Sequence, residues 1–88
     1  MTRREILGER VRRLRMGRGL SQTELATQVA MPLPNLNRIE HGRQSIYIER
    51  LADLAQALET TTDYLLGLTD DPTPLAKRPR PRKAAPVG

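Results

Sequence analysis

Apolar residues recur along this chain at the three- and four-residue spacings of amphipathic helices. Near the amino terminus Leu7, Val11 and Leu14 follow one another at i, i+4 and i+7, and arginine fills most of the positions around them. This period predicts a first helix over residues 5–16, which Gly17 ends.

The second half of the chain contains its longest apolar stripe. Ser45 can open a helix there, and the stripe predicts that one face of this helix belongs to the core. Thr61 can then cap a last short helix over residues 62–66, which Gly67 ends. The residues of the stripe are Ile48, Leu51, Leu54, Ala55 and Leu58.

Residues 21–43 have a pattern typical of two short helices that meet at a tight turn. One pair of apolar residues is four apart, a later pair is three apart, and a further apolar residue lies between the pairs. A single helix does not produce these spacings. The five positions are Leu25, Val29, Met31, Leu36 and Ile39.

Local signals set the limits of the first of these two helices. Ser21 and Glu24 have the form of a capping box, in which each side chain bonds a free backbone N–H of the other residue. The helix is therefore expected to start at Gln22. It can run only to about Ala30, because Pro32 disfavours helical geometry in the residue before it.

The second helix of the pair is bounded by a proline and a glycine. Pro34 falls in its first turn, where a missing N–H costs little, and Gly42 ends it. With these features the window resembles the helix-turn-helix of phage repressors, Cro-like proteins and the related XRE regulators. In that family the position of Ala26 holds a small residue, so that the two helices can approach closely. The resemblance covers about residues 5–68.

The resemblance implies an all-α fold, a compact five-helix bundle with a helix-turn-helix, but the turn departs from the family pattern. The family usually has glycine there, in left-handed backbone, and Ala30 would cost about 1 kcal/mol in that conformation. The family also often has a Ser or Thr cap followed by Gln at the start of the second helix. Here Pro32, Leu33 and Pro34 stand instead, which leaves more of the specificity to apolar contact and DNA shape.

Composition limits the chain to one small domain, for which no metal or cofactor is expected. Its 88 residues are 38% hydrophobic with almost no aromatics, which predicts a single aliphatic core. The absence of cysteine excludes disulfides and thiolate metal sites. No apolar run approaches the roughly 18 residues of a membrane span. We expect a soluble cytoplasmic protein associated with the nucleoid.

Charge is unevenly distributed along the chain. Residues 1–43 carry a net charge of +5, residues 44–68 carry −3, and residues 69–88 carry +3. A basic half that contains the helix-turn-helix is the electrostatic footprint of a phosphate-binding face. The alternative is a solvated surface that is simply rich in arginine.

The second helix of the motif is the expected recognition helix. A helix fits the major groove with its first turn nearest the base edges. In the resembled family the base-reading positions match Leu33, Pro34 and Arg38, with Asn35 and Asn37 adjacent. Arg38 is expected to bond guanine O6 and N7, either asparagine can bond adenine, and Leu33 can contact a thymine methyl group. The alternative for Asn37 is plain exposure.

Phosphate contacts are expected from the start of the first motif helix and from arginines around it. The free N–H groups after Ser21, together with Gln22, favour an anion. Arg43, and Arg10 or Arg15 on the first helix, can add charge.

In the resembled family an arginine at the position of Arg15 pairs with a glutamate at the position of Glu40. This ion pair ties the first helix to the recognition helix and would leave Arg15 less available to DNA. The alternative is two unrelated surface charges.

The carboxy-terminal helix carries more apolar surface than five residues can bury in their own domain. One side is expected to pair with a second copy of the chain, so that the protein is a homodimer. The alternative is that all of these side chains close the core. They are Tyr64, Leu65, Leu66 and Leu68.

Residues 69–88 contain five of the seven prolines and no apolar period. They are expected to form a disordered basic tail beyond a helix-turn-helix domain of residues 1–68. The segment KRPRPRK can lie along phosphates or in a minor groove, or it can serve only as a solubilising end.

These features together predict a sequence-specific regulator that binds double-stranded DNA, a repressor dimer on a two-fold operator. The alternative is an antitoxin-like module that holds a protein partner on the same scaffold and binds DNA secondarily. No nucleophile, base and orienting group occur together, so an enzyme is not expected. His41, the single histidine, is assigned to the surface at a helix end.

Overall fold

The computed structural model describes residues 1–74, which form five helices and contain no strand. The all-α fold expected from the sequence is confirmed. The helices are α1 (Arg3–Gly17), α2 (Gln22–Gln28), α3 (Leu33–Glu40), α4 (Ile48–Ala57) and α5 (Thr62–Leu66). The disordered tail expected over residues 69–88 lies outside the described residues from position 75 onward.

Helix α1 begins two residues earlier than its apolar period indicates. The N–H of Glu5 donates to the Thr2 hydroxyl at 3.1 Å, and the Thr2 N–H donates to the Glu5 carboxylate at 2.8 Å. This capping box satisfies two backbone donors that the helix leaves free. The hydrogen bonds from the Thr2 backbone N–H and hydroxyl hold the pKa of Glu5 below its ordinary value.

The turn between α2 and α3 has the backbone that the family pattern requires. Ala30 has a φ of 52°, in the left-handed region. The next N–H, that of Met31, donates to the Ala26 carbonyl at 2.9 Å and closes the turn. Helix α2 ends at Gln28, slightly before the expected limit at about Ala30. The chain leaves helical geometry ahead of the left-handed Ala30.

Replacing Ala30 with glycine is expected to raise the free energy of unfolding by up to about 1 kcal/mol, because glycine adopts left-handed backbone without a Cβ clash. Chemical denaturation of the two proteins measures the change. Ala52→Gly is the matched control, since Ala52 is exposed inside α4 and the same replacement there lowers stability by about 1 kcal/mol. Equal losses at both positions would contradict the turn geometry.

One aliphatic core joins all five helices. Helix α1 packs against both α3 and α5, α2 packs against α3, and α4 packs against α5. At the crossing of α1 and α3, Gly8 brings the two backbones together. A Cβ built on Gly8 would lie 2.3 Å from the Ile39 carbonyl oxygen and 2.7 Å from that of Glu40. The largest fully buried side chains are Leu25, Leu36, Ile39, Leu54, Leu65 and Val11.

The ordered chain continues beyond α5 along the surface of α1. Nη1 of Arg10 donates to the carbonyl oxygens of Tyr64 at 2.7 Å and Thr69 at 2.6 Å, and Nη2 pairs with Asp70 at 2.9 Å. The Thr60 hydroxyl donates to the Pro72 carbonyl at 2.7 Å. Residues 69–72 therefore lie against the helical domain.

Within residues 1–74, no helix has the length and apolar character needed to cross a membrane.

Candidate nucleic-acid interface

Helix α3 has one buried face and one open face. Leu36, Ile39 and Glu40 are buried against the other helices. The expected base-reading residues lie mostly on the opposite side, where the helix is open to a ligand. Leu33, Pro34, Asn37 and Arg38 are exposed, and Asn35 is half-buried.

Arg38 lies at the middle of this open face and is held only weakly. Its Nη1 is 3.4 Å from the Asn35 side-chain oxygen and 3.3 Å from that of Gln44 in the loop after α3. Both distances are at the long end for N–H···O bonds, so the guanidinium can turn toward another acceptor at little cost. Gln44 was not among the residues expected at the site, because loop positions carry no periodic signal.

A buried ion pair fixes α3 to α1. Arg15 donates to the two carboxylate oxygens of Glu40, from Nε at 2.7 Å and from Nη2 at 3.0 Å, and Nη1 donates to the Leu20 carbonyl at 2.8 Å. The side chains are 11% and 1% exposed. The arginine and glutamate expected to pair do so, and every terminal nitrogen and Nε of Arg15 has a protein acceptor. Arg15 is therefore a structural residue, and it is not part of the proposed phosphate contacts.

The same carboxylate orients residues that face outward. Nε2 of Gln22 donates to Glu40 at 3.1 Å, and the Gln22 side-chain oxygen lies 3.4 Å from the amide nitrogen of Asn37. One N–H and the oxygen of the Asn37 amide remain for a ligand. One donor beside one acceptor is the pattern that matches N7 and N6 of adenine in the major groove.

The start of α2 has the capping box expected from the sequence. The N–H of Glu24 donates to the Ser21 hydroxyl at 3.0 Å, and the Ser21 N–H donates to the Glu24 carboxylate at 2.9 Å. The hydrogen bonds from the backbone and hydroxyl of Ser21 lower the pKa of Glu24. Ser21 thus serves as the helix cap through its oxygen, and its O–H remains a donor that a phosphate can accept from. Gln22 lies beside it at the start of α2.

The other two arginines expected to bind phosphate differ in their surroundings. Arg43 is exposed beside the end of α3, where its N–H donates to the Arg38 carbonyl at 2.9 Å. The guanidinium of Arg10 lies over the Tyr64 ring at 4.3 Å, and its donors hold the chain after α5. We therefore reassign Arg10 from phosphate binding to anchoring, while Arg43 stays in the proposed interface.

Two of the four residues expected at a dimer interface are buried, and two are at least partly exposed. Tyr64 is 5% exposed and Leu65 is fully buried, so both close the core of their own domain. This corrects the expectation for these two residues, because a five-residue helix packed on α1 and α4 turns half of its side chains inward. Leu66 is half-buried and Leu68 is 62% exposed.

No group of three or more His, Cys, Asp or Glu residues able to hold a metal ion occurs among the residues that the structure describes.

Comparison with known proteins gives the family. A model of the helix-turn-helix domain matches residues 6–70. The chain belongs to this family, in its Cro/XRE-like form. It is similar to the HTH-type transcriptional regulator YobD of Bacillus subtilis, with 31% identity over 80% of this chain and 62% of YobD.

Two further relatives are also named as transcriptional regulators. The HTH-type regulator y4dJ of Sinorhizobium fredii is 33% identical over 89% of this chain and its own whole length. A regulator encoded in the ATPase CF(0) region of Rhodospirillum rubrum is 34% identical over 69% of this chain. The chain spans 56% of the length of that protein, and so covers little more than half of some relatives.

Solved structures of regulators have the same fold. The restriction-modification controller protein C.AhdI of Aeromonas hydrophila superposes with a TM-score of 0.67 and 29% identity, over 70% of this chain and 94% of C.AhdI. The clp gene regulator ClgR of Corynebacterium glutamicum gives a TM-score of 0.71 and 30% identity, over 75% of this chain and 70% of ClgR.

Proposed function

We propose that the protein is a sequence-specific transcriptional regulator, not an enzyme, that binds double-stranded DNA by placing α3 in the major groove. The observation that carries the proposal is the open face of α3. Three side chains able to reach base edges stand there on a helix whose other face is fixed to α1 by a buried ion pair. Those three are Leu33, Asn37 and Arg38. Family membership and the transcriptional regulators among its relatives support the same function.

In this proposal each exposed side chain on α3 has its own task. Arg38 reads guanine through O6 and N7, and Asn37, oriented by Gln22, reads adenine. Leu33 and Pro34 offer only apolar contact, most favourably to a thymine methyl group. Asn35, half-buried beside Arg38, can bond adenine in place of Asn37.

Phosphates flank these contacts on both sides of the groove. The second N–H of the Gln22 amide is free on the side of α2, and Arg43 is exposed beyond the end of α3. These two residues position α3 without selecting a sequence. The basic segment of residues 77–83 would add affinity that is also independent of sequence.

We further propose that the protein is a repressor that acts as a homodimer on a two-fold operator and covers a promoter. A two-fold dimer matches a palindromic site, because each copy reads one half. Leu66 and Leu68 are the apolar residues of the carboxy-terminal region that remain available to a second copy.

One observation favours the second candidate, an antitoxin-like module with a protein partner. Tyr47 and Ile48 are adjacent at the start of α4 and are 82% and 81% exposed. Exposed apolar side chains next to each other are typical of protein contacts. Chemical cross-linking in the native host, with Tyr47→Ser as the comparison, would show whether a partner of another kind binds there.

Replacing Arg38 with alanine tests the reading of guanine. We expect the affinity for the selected site to fall by about 1 to 3 kcal/mol and the preference at one base pair to disappear, because a bidentate contact is lost. Fluorescence anisotropy with the selected duplex and its single-base variants measures both effects. Arg13→Ala, which removes the same charge from the outer side of α1, is the control and should keep the base preference. Unchanged discrimination in the Arg38 variant would contradict the assigned docking.

A further inference from the structure

His41 stands on the open face of α3, on the same stripe as two residues of the proposed interface. Pro34, Arg38 and His41 follow at i, i+4 and i+7, and all three are exposed. A helix rises about 1.5 Å per residue, so His41 lies about 10 Å along the axis from Pro34. The major groove is about 12 Å wide. With the first turn of α3 at the base edges, its last turn reaches the phosphates at the side of the groove.

The hydrogen bond of the His41 ring indicates which of its nitrogens carries hydrogen. Nδ1 lies 2.7 Å from the Asn37 carbonyl oxygen. A carbonyl oxygen only accepts, so Nδ1 is the donor and Nε2 is the nitrogen left for a ligand. In the neutral ring Nε2 has a lone pair and no hydrogen. In the protonated ring it carries N–H and the ring is a cation.

From these two observations we infer that His41 is a phosphate contact that operates only when its ring is protonated. Phosphate oxygens accept hydrogen bonds and carry negative charge, so they repel the neutral Nε2 lone pair and attract the protonated N–H. The carboxyl end of a helix also favours a cation. DNA binding therefore takes up a proton at His41 and strengthens as the pH falls. The inference rests on the proposed docking of α3.

The acidic groups near His41 are engaged with other residues. Glu5, which packs on Gly42, has its pKa lowered by Thr2, and Glu40 is paired with Arg15. Arginines remain protonated throughout. Histidine is the side-chain type that ordinarily changes charge between about pH 5 and 8, and the chain has one histidine and no cysteine. The charged residues of α3 and the following loop are Arg38, Glu40 and Arg43, and those of α1 that contact this end are Glu5 and Arg15.

The test measures binding of a labelled mixed-sequence duplex, and of the selected duplex, at about pH 5.5 and about pH 7.5 over a series of salt concentrations. For the parent chain we expect affinity about fivefold higher per protomer at the lower pH, as for an exposed ion pair. The logarithmic salt dependence should also steepen by about 0.9 per protomer, because one more phosphate is neutralised.

Two variants separate this contact from any general effect of pH. His41→Asn keeps a donor for the Asn37 carbonyl and removes Nε2, so its binding should be weak and independent of pH. His41→Lys carries its charge at both pH values, so its binding should be tight and independent of pH. Thermal melts at each pH check that the variants are folded.

The outcomes distinguish this inference from the function on which it rests. If neither duplex binds any variant, the proposed function fails. If DNA binds but the parent shows no pH dependence, or if His41→Asn keeps the same dependence, the inference about His41 fails while the docking of α3 stands.

Discussion

Replacing Gly8 with alanine is expected to lower the free energy of unfolding by about 3 kcal/mol, at the upper end for added atoms in a packed interior. The new Cβ would lie 2.3 Å from the Ile39 carbonyl oxygen and 2.9 Å from the Glu40 carbonyl carbon. Both are backbone atoms in the last turn of α3, so no side chain can move to make room. Helix α1 has to separate from α3.

Thermal unfolding measures this effect. For a domain of this size we expect the melting temperature to fall by more than about 10 °C. Gly17→Ala is the matched control, because a Cβ there meets nothing within 4 Å and alanine favours the helix by about 0.5 to 1 kcal/mol. A Gly8 variant that melts at or above the parent temperature would show that the two helices do not approach this closely.

Replacing Arg15 with methionine is expected to lower stability by about 3 to 5 kcal/mol, because it leaves the Glu40 carboxylate buried without its counter-charge. That carboxylate is 1% exposed and accepts two of the hydrogen bonds of Arg15. Denaturant unfolding at neutral pH measures the loss. Arg13→Met is the control, since Arg13 pairs with Glu9 on the open surface and exposed pairs contribute about 1 kcal/mol or less.

The double variant Arg15→Met with Glu40→Leu separates the effect of the ion pair on stability from its effect on DNA binding. Replacing both members of a buried pair with apolar side chains is often neutral, so most of the lost stability should return. Gln22 then has no carboxylate to hold it, and Asn37 loses its orientation. We expect a folded protein with weakened DNA binding. A single Arg15 variant that is no less stable than Arg13→Met would contradict the burial of this pair.

The helix-turn-helix was predictable because its signals are local. The capping box of Ser21 and Glu24, the prolines around the turn and the five apolar positions each act within a few residues. Thr2 and Glu5 have the same capping pattern, yet the predicted start of α1 fell at Glu5. The apolar period begins only at Leu7, so the period alone places the start of α1 later than the cap does.

The roles of the arginines on α1 were not predictable from the same information. Arg10 and Arg15 are both basic residues on an amphipathic helix, and nothing local distinguishes them from exposed neighbours. Their partners, Asp70 and Glu40, lie far along the chain, and only the packing of α1 against α5 and α3 brings them together. The resemblance to a family indicated the pair with Glu40. No comparable signal indicated the contacts of Arg10.

Burial of the α5 residues was a question of tertiary packing as well. Four apolar side chains in sequence fit either a core or an interface with a second copy. Tyr64 and Leu65 point toward α1 and α4 and close the core, whereas Leu68 follows the left-handed Gly67 and is exposed. A short helix with one turn and a half has too few positions for its periodicity to separate these faces.

Selection of bound sequences from a random DNA pool, at a fixed salt concentration, tests most directly whether α3 reads bases in the major groove. Done in parallel with the parent chain and Arg38→Ala, it should recover an inverted repeat whose half-sites contain guanine, and the variant should lose only that guanine. If the parent enriches no sequence, or if both proteins enrich the same one, then α3 is not the reading element and the proposed function is wrong.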